Sequence, residues 1–103
     1  MENILTQELI DKLIAHYEKG LAEIKLMYNI QDILDVLVLH NMESGLCKCA
    51  HGVFNTSICE DRYLRDRYTF MNWVALPPFM RNTKEKIIES LEFRIKLMKE
   101  FPN

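Results

Sequence analysis

Apolar side chains recur every three or four residues through the first third of the chain, which is the spacing that lines one face of an α-helix. Thr6 lies just before this pattern and is a good N-cap, because its hydroxyl can accept a hydrogen bond from the first turn. The pattern predicts a first helix over about residues 7–28, and Gly20 inside it permits a bend or a close helix crossing. The apolar positions are Leu9, Ile10, Leu13, Ile14, Tyr17, Leu21, Ile24 and Tyr28.

A second stretch, residues 30–39, is apolar nearly all round, so periodicity alone does not distinguish a buried helix from a buried strand. Because the rest of the sequence offers no partner strand, we predict a second helix over about residues 31–43. Asn29 and Asp32 provide a variant of the capping box at its start. Its apolar circumference requires cover on more than one side, either from other helices or from a second subunit.

The middle of the chain has weaker signals for helices. A short helix over about residues 46–52 is predicted to close near Gly52. Ser57, followed three residues later by Glu60, forms a capping box, which predicts a fourth helix that runs to about Tyr68. The apolar positions of the short helix are Leu46, Cys49, Ala50 and Val53.

Residues 69–80 lack helical spacing, and the two adjacent prolines, Pro77 and Pro78, favour extended backbone for the residues before them. We expect this apolar segment to pack as a lid or an arm. Asn82 is predicted to cap a final helix that runs to about Phe101. That helix carries a core stripe and a second apolar stripe, which predicts a homo-oligomer or a groove for a partner. The second stripe consists of Phe93, Leu97 and Phe101.

The composition agrees with a helical fold. The 103 residues include only three glycines and three prolines, which is too few for the many turns of an all-β fold. We therefore predict one all-α domain over residues 1–103, a small bundle of four to five helices with an extended Trp/Pro loop before the last helix. No run of 18 apolar residues occurs and the N-terminus is acidic, so we expect a cytoplasmic protein without a membrane segment.

The cysteines and histidines give no strong indication of chemistry. Three cysteines are an odd number, so free thiols are expected. The spacing of the possible zinc ligands is poor, and we predict neither a metal nor a cofactor. No catalytic motif joins a cysteine to a histidine, so we expect a non-enzymatic protein. The possible ligands are Cys47, Cys49, His51 and Cys59, and the other histidines are His16 and His40.

Residues 62–82 hold the only Trp and four of the five arginines. Arginines can bind phosphate oxygens with two hydrogen bonds, aromatic faces can stack on a base, and a capped helix start offers free N–H groups to an anion. The alternative is that the aromatics are core and the arginines pair with Asp61 and Asp66 on the surface. The candidate ligand-binding residues are Arg62, Arg65, Arg67, Tyr68, Trp73, Arg81, Asn82 and Thr83.

The charge is distributed unevenly. Eight acidic and three basic residues give residues 1–45 a net charge of −5, whereas ten basic and seven acidic residues give residues 46–103 a charge of +3. A basic end can hold an anion or support head-to-tail association, although two differently charged solvated faces are an alternative. The net charge of −2 and the lack of a continuous basic stripe argue against general nucleic-acid binding.

Three features together resemble small uncharacterised proteins of tailed bacteriophages and of prophages of gut bacteria. They are the sequence Gly-Leu-Cys at residues 45–47 after an apolar helix, the Trp/Pro loop, and the helix sequence TKEKIIESLExRIxL that begins at Thr83. The resemblance covers roughly residues 30–101. It implies a stoichiometric antagonist of host defence that masks a host protein or sequesters a nucleotide signal, and it assigns no catalytic residue.

Two functional hypotheses follow from these observations. The first is a non-enzymatic phage-type antagonist in the host cytoplasm that sequesters a small anionic, nucleotide-like signal with the arginines and aromatics of residues 62–81 at a subunit interface. The second is a protein-interaction module that places the arm and the Phe93, Leu97 and Phe101 stripe on a host protein and masks it.

Overall fold

The computed structural model describes residues 5–101. Within that range the chain is all-α and contains no strand, so the predicted fold class is confirmed. There are six α-helices rather than four to five, because residues 57–80 form two short helices instead of one helix and an extended loop. The helices are α1 (Gln7–Lys25), α2 (Ile30–Leu39), α3 (Leu46–Phe54), α4 (Arg62–Arg67), α5 (Phe70–Trp73) and α6 (Lys84–Lys99), with a 3₁₀ turn at Pro78–Met80.

The two longest helices, α1 and α6, form an antiparallel pair that we call the frame. Their direction follows from two ion pairs, Glu18 with Lys99 at 3.2 Å and Lys25 with Glu92 at 3.5 Å. Full burial stabilises each large aliphatic side chain between them by about 1.5–3 kcal/mol. The buried apolar side chains are Ile10, Leu13, Tyr17, Leu21 and Ile24 of α1 and Ile87, Leu91, Ile95 and Met98 of α6.

The predicted start of α1 is confirmed, since the Thr6 hydroxyl accepts a hydrogen bond from the Leu9 N–H at 3.1 Å. The helix ends at Lys25, three residues before the predicted end. The Lys84 ammonium group of α6 donates hydrogen bonds to the carbonyl oxygens of Lys25 and Met27. A cation at this position satisfies C-terminal carbonyl groups and is favoured by the helix dipole.

Helix α2 covers one side of α1, and its predicted cap, Asn29, accepts hydrogen bonds from the first turn. The helix ends at Leu39, four residues before the predicted end. The chain that follows returns to α1 at Gly20, where a Cβ atom would lie 2.8 Å from the Met42 Cε. The close approach at Gly20 is therefore made by the Met42 side chain of the connection after α2, rather than by a crossing helix.

Helix α3 agrees with its predicted start but ends two residues later than expected, with Asn55 in the left-handed region at φ 51°. Cys47 and Cys59 are joined by a disulfide, with Cα atoms 5.3 Å apart. The expectation of free thiols is therefore wrong for these two residues and holds for the buried Cys49. The bridge holds residue 59 beside α3, so residues 55–60 form a connection rather than the first turn of a helix.

Helix α4 begins at Arg62, because Asp61 and not Ser57 is its cap. The Asp61 carboxylate accepts hydrogen bonds from the N–H groups of Tyr63 and Leu64. The capping box predicted at Ser57 is thus wrong. A carboxylate at the N-cap satisfies the first free N–H groups of the helix, and its charge is favoured by the helix dipole.

We call residues 69–82 the arm. It is not wholly extended as predicted, since α5 forms one helical turn and the 3₁₀ turn follows Pro77. The arm packs where the Gly45 N–H donates a hydrogen bond to the Val74 carbonyl at 3.2 Å. A Cβ atom at Gly45 would lie 2.6 Å from backbone atoms of Trp73 and Val74, so glycine permits this contact. Thr83, rather than the predicted Asn82, caps α6.

None of the helices in the described chain is both long enough and apolar enough to cross a membrane. The buried apolar side chains instead form one connected core that includes residues of α1, α2, α3, α4, α5 and α6.

Candidate functional site

The predicted ligand-binding residues fall into two groups near different ends of α6. Helix α4 packs against the C-terminal half of α6, because the Tyr68 hydroxyl donates a hydrogen bond to the Arg94 carbonyl. Arg81, Asn82 and Thr83 instead precede the first turn of α6. Position 94 is ten residues beyond the start of that helix, which is about 15 Å along its axis. Within one protomer, the arginines of α4 and Arg81 therefore belong to separate surfaces.

The two aromatic side chains assigned to the ligand are buried. Tyr68 and Trp73 are each only 6% exposed. The Tyr68 ring lies edge-on to Phe93, with centroids 6.2 Å apart, and burial raises the pKa of its hydroxyl. Trp73 belongs to the buried apolar core, and its backbone packs on Gly45. Neither ring presents a face to solvent on which a base could stack.

The arginines of α4 are exposed and unpaired. Arg62, Arg65 and Arg67 form no ion pair with a carboxylate anywhere in residues 5–101. Arg67 lies over the Tyr63 ring, with its guanidinium carbon 4.8 Å from the ring centroid. Asp66, one of the two expected acidic partners, forms no ion pair within residues 5–101, and the other, Asp61, is a buried carboxylate that caps α4.

The second apolar stripe of α6 is partly covered by α4 of the same chain. The Phe101 ring lies 5.0 Å from Tyr63, and Phe93 contacts Tyr68. The Tyr63 hydroxyl also donates a hydrogen bond to the Leu97 carbonyl at 3.2 Å. Phe93 is the most exposed of the three stripe residues. The two stripes of α6 therefore serve neighbours inside the protomer, although the outer stripe keeps some open surface.

A different surface combines apolar side chains that no other part of residues 5–101 covers completely. It is a groove of about 380 Å³ between α2 and the end of the arm, and we call it the α2–arm groove. Val38 on its wall is 59% exposed, and the adjacent Leu39 and Phe79 are 73% and 57% exposed. Exposed aliphatic and aromatic side chains around a groove are typical of an interface. The lining residues are Leu34, Val38, Glu43, Pro78, Arg81 and Asn82.

Two charged side chains of this groove are incompletely satisfied. The Arg81 Nε and the Glu43 Oε2 atoms are buried and have no hydrogen-bond partner within the described residues. Neither side chain forms an ion pair there. A buried donor or acceptor without a partner costs about 1–3 kcal/mol. A bound group that supplied a carboxylate to Arg81 and a donor to Glu43 would recover part of that cost.

A larger groove, about 660 Å³, lies between α1 and α6. Its floor includes Leu21 and Ile95, both only 7% exposed. The Lys25–Glu92 and Lys99–Glu18 ion pairs already neutralise four of the charges along its rim. Lys96 and Glu100, the other two charged residues of the lining, form no ion pair within residues 5–101. This groove differs from the α2–arm groove in that neither of its two unpaired charges is a buried atom without a hydrogen-bond partner.

The core contains a charged residue that the sequence analysis placed only within the last helix. Arg94 is 0% exposed, and its Nη1 donates a hydrogen bond to the Tyr17 hydroxyl at 3.0 Å. Its Nε and Nη2 atoms have no partner in the described chain. The signal that could have found it is its spacing, because position 94 falls between Leu91 and Met98 on the core stripe. Arg94 lines neither the α2–arm groove nor the groove between α1 and α6.

The buried thiol is not arranged as a nucleophile. Burial raises the pKa of Cys49 to about 11, which keeps the thiol protonated near neutral pH. Its sulfur lies 3.8 Å from the carbonyl oxygen of His40, whereas the ring of that histidine contacts Glu23 at 2.9 Å. His16 also approaches the His40 carbonyl, at 2.7 Å. These contacts join α1, α2 and α3 in the core.

The four possible zinc ligands of residues 47–59 do not act together. Two of them are joined to each other by the disulfide, and Cys49 points into the core. Across residues 5–101 no three His, Cys, Asp or Glu side chains are grouped as they would be around a metal ion.

The exposed candidate surfaces are thus the arginine face of α4 and the α2–arm groove. The aromatic residues Tyr68 and Trp73 are buried. Comparison of the chain with known protein families, with curated proteins and with solved structures finds no match.

Proposed function

We propose that this chain is a protein-interaction module that binds a segment of a partner protein in the α2–arm groove. The observation that carries the proposal is the large exposure of Val38 in the wall of a concave, mainly apolar groove. The aromatics that a nucleotide would need, Tyr68 and Trp73, are buried, which favours this function over capture of a nucleotide.

The groove indicates what kind of segment it binds. Leu34, Val38 and Pro78 provide an apolar wall for one large aliphatic or aromatic side chain, which can serve as an anchor. Arg81 at the edge can form a two-pronged contact with a carboxylate. Glu43 can accept a hydrogen bond from a backbone N–H group of the bound segment. The occupant is therefore an apolar anchor residue with an acidic residue close to it.

The resemblance to phage accessory proteins supports a host protein as the partner. A chain of 103 residues without an assigned catalytic residue can block a larger protein by covering its surface in a one-to-one complex. An interface of standard size requires about 800 Å² from each partner, which exceeds the groove itself. Exposed Leu39 and Phe79 beside the groove extend the apolar surface toward that size.

The test is capture of a partner by wild-type protein and by matched variants. Val38→Gln places a polar amide in the groove and should weaken binding about ten-fold or more, because it removes an anchor contact. Leu26→Gln is the control, since Leu26 is 81% exposed and lies outside the groove. The protein that wild-type bait captures should be identified, and its affinity for all three forms measured by calorimetry.

The salt dependence adds a second criterion. Apolar contacts persist at high ionic strength, whereas contacts between exposed charges are screened. We expect the captured partner to remain bound in high salt. Equal affinity of wild-type protein and Val38→Gln for that partner, or equal losses for Val38→Gln and Leu26→Gln, would contradict the assignment of the groove.

A second candidate function is sequestration of a small anionic, nucleotide-like ligand by the arginine face of α4. The observation that favours it is the exposure of Arg62, Arg65 and Arg67 without a carboxylate partner in residues 5–101. Because Tyr68 and Trp73 are buried, a base would stack either on Phe70, which is 71% exposed, or on a ring of a second subunit in a homo-oligomer. Arginine can bind phosphate with two parallel hydrogen bonds.

Thermal unfolding with a panel of linear and cyclic nucleotides tests the second candidate. A ligand present at 100 times its Kd should stabilise the protein by about 2.7 kcal/mol, which is a readily measured shift. Arg62→Gln with Arg65→Gln should abolish the shift, and Lys96→Gln on α6 is the exposed control. The absence of any shift rejects the ligand function and leaves the groove function unaffected.

A further inference from the structure

The Cys47–Cys59 disulfide lines an open cavity of about 480 Å³, which shares Glu43 with the α2–arm groove. The two cysteines differ in exposure, since residue Cys59 is exposed whereas Cys47 is only 2% exposed. A reagent can therefore approach the bridge from one side. The polar residues that share this cavity are Asn41, Glu43, Ser44, Lys48, His51 and Ser57.

The local charges favour a particular leaving group. Cys47 is the second residue of α3, where the free N–H groups and the dipole of the helix stabilise a thiolate. His51 lies one helical turn further along and lines the same cavity, together with Lys48. Glu43 is the one carboxylate in the lining, and it opposes negative charge there. Lys48 and the helix N-terminus favour negative charge at this position, against the single carboxylate of Glu43.

We propose that this disulfide is a thiol-exchange site whose substrate is a small thiol such as glutathione. The thiolate of the small thiol attacks the Cys59 Sγ along the S–S axis. A new S–S bond forms between the small thiol and Cys59, the Cys47–Cys59 bond breaks, and its electron pair leaves on the Cys47 Sγ as a thiolate. The product is a mixed disulfide on Cys59 and a thiolate at the start of α3.

A second molecule of the small thiol completes the reduction. Its thiolate attacks the sulfur of the small thiol in the mixed disulfide, which releases Cys59 as a thiolate and forms the disulfide of the two small thiols. The two electrons thus pass from two small thiols to the protein. Alternatively, the Cys47 thiolate attacks Cys59 and restores the original bond with loss of the small thiol. Neither the complete reduction nor the re-formation of the Cys47–Cys59 bond changes Cys49, because that thiol is buried.

The experiment uses the full-length folded protein in glutathione buffers of graded redox ratio. Samples are quenched in acid, free thiols are alkylated, and peptides are mapped by mass spectrometry. We expect glutathione on Cys59 and the alkyl group on Cys47 in the partly reduced protein. Modification in which Cys47 carries glutathione at an equal or higher yield would overturn the proposed direction of attack.

Two single variants sharpen the result. Cys47→Ala should accumulate the mixed disulfide on Cys59, whereas Cys59→Ala should be modified at Cys47 at least about ten-fold more slowly because that sulfur is buried. Circular dichroism verifies that each variant is folded. If one variant does not fold, the peptide mapping of wild-type protein still tests which cysteine the glutathione attacks. If excess glutathione opens the bridge only after unfolding in urea, the disulfide is a purely structural one and the proposal is wrong.

Discussion

The frame and the arm differ in how their apolar side chains are used. In the frame, residues such as Ile10 and Leu91 are completely buried between α1 and α6. The arm buries Trp73 and Leu76 but leaves Phe79 largely exposed. The frame therefore supplies most of the stability, while the arm combines a small buried attachment with surface that is open to a partner. This difference explains why the candidate groove lies beside the arm.

The largest effect on stability is expected when a buried side chain of the frame is truncated. Leu91→Ala removes a completely buried side chain from α6 and should lower the free energy of unfolding by about 2–5 kcal/mol. Glu89→Ala on the exposed face of the same helix should change it by less than about 0.5 kcal/mol. Urea unfolding monitored by circular dichroism measures both. A similar small change for the two variants would contradict the role of the frame.

The contact between α3 and the frame should make the protein sensitive to alkali. Burial raises the pKa of the Cys49 thiol to about 11. A group whose pKa is higher in the folded state contributes stability that is complete below its unfolded pKa, near 9, and is lost as the pH rises toward 11. The loss should be about 2–3 kcal/mol between these pH values, at 1.36 kcal/mol per pKa unit.

This prediction is best measured in a Cys47→Ala, Cys59→Ala background, where Cys49 is the remaining thiol. Replacing Cys49 by Ala in that background should remove the loss that begins near pH 9. Tyr17 and Tyr68, whose pKa values burial also raises, should still reduce stability at pH values above about 10. An unchanged pH profile after Cys49→Ala would show that the thiol is not responsible.

The attachment of the arm should respond to a single added methyl group. Gly45→Ala places a Cβ atom against backbone atoms of residues 73 and 74, which cannot rotate away, and should cost about 1–3 kcal/mol. Gly52→Ala is the matched control. Its Cβ would meet the end of the Asn41 side chain, which can move, and alanine favours the helix by up to about 1 kcal/mol. We expect nearly unchanged stability for that control.

The location of the residues that lose protection in Gly45→Ala identifies the cause of its destabilisation. Displacement of the arm should increase hydrogen exchange and proteolysis in residues 69–82 before the frame is affected. Protection of the α1 and α6 amides should fall only by the change in global stability. Uniform loss of protection in Gly45→Ala would contradict a local attachment at this glycine.

The elements that were predictable from the sequence depend on local interactions. Thr6 and Asn29 cap the helices that follow them, because a cap and its N–H partners lie within three residues. The disulfide and the packing of the arm on Gly45 join residues that are 12 or more positions apart, and no local pattern encodes them. This explains why the free thiols and the start of α4 were predicted incorrectly.

Contacts between distant parts of the chain also limited the prediction of the candidate site. The exposed arginines of α4 followed from helical spacing, but the burial of Tyr68 and Trp73 depends on α6 and on Gly45. The groove residues Val38 and Arg81 meet only because α2 and the end of the arm lie side by side. The apolar circumference of α2 indicated that some additional cover was needed, without indicating where.

The smallest effect on stability is expected at the groove itself. Val38→Gln should change the free energy of unfolding by less than about 0.5 kcal/mol, because the side chain is already mostly exposed. The same variant should lose about ten-fold or more in affinity for a partner that uses the groove. Stability is measured by urea unfolding and affinity by calorimetry on the same preparation. A destabilisation comparable to that of Leu91→Ala would mean that Val38 belongs to the core, and any loss of binding would then reflect unfolding. An unchanged fold with weakened binding would separate the two roles, with stability residing in the frame and recognition in the surface between α2 and the arm.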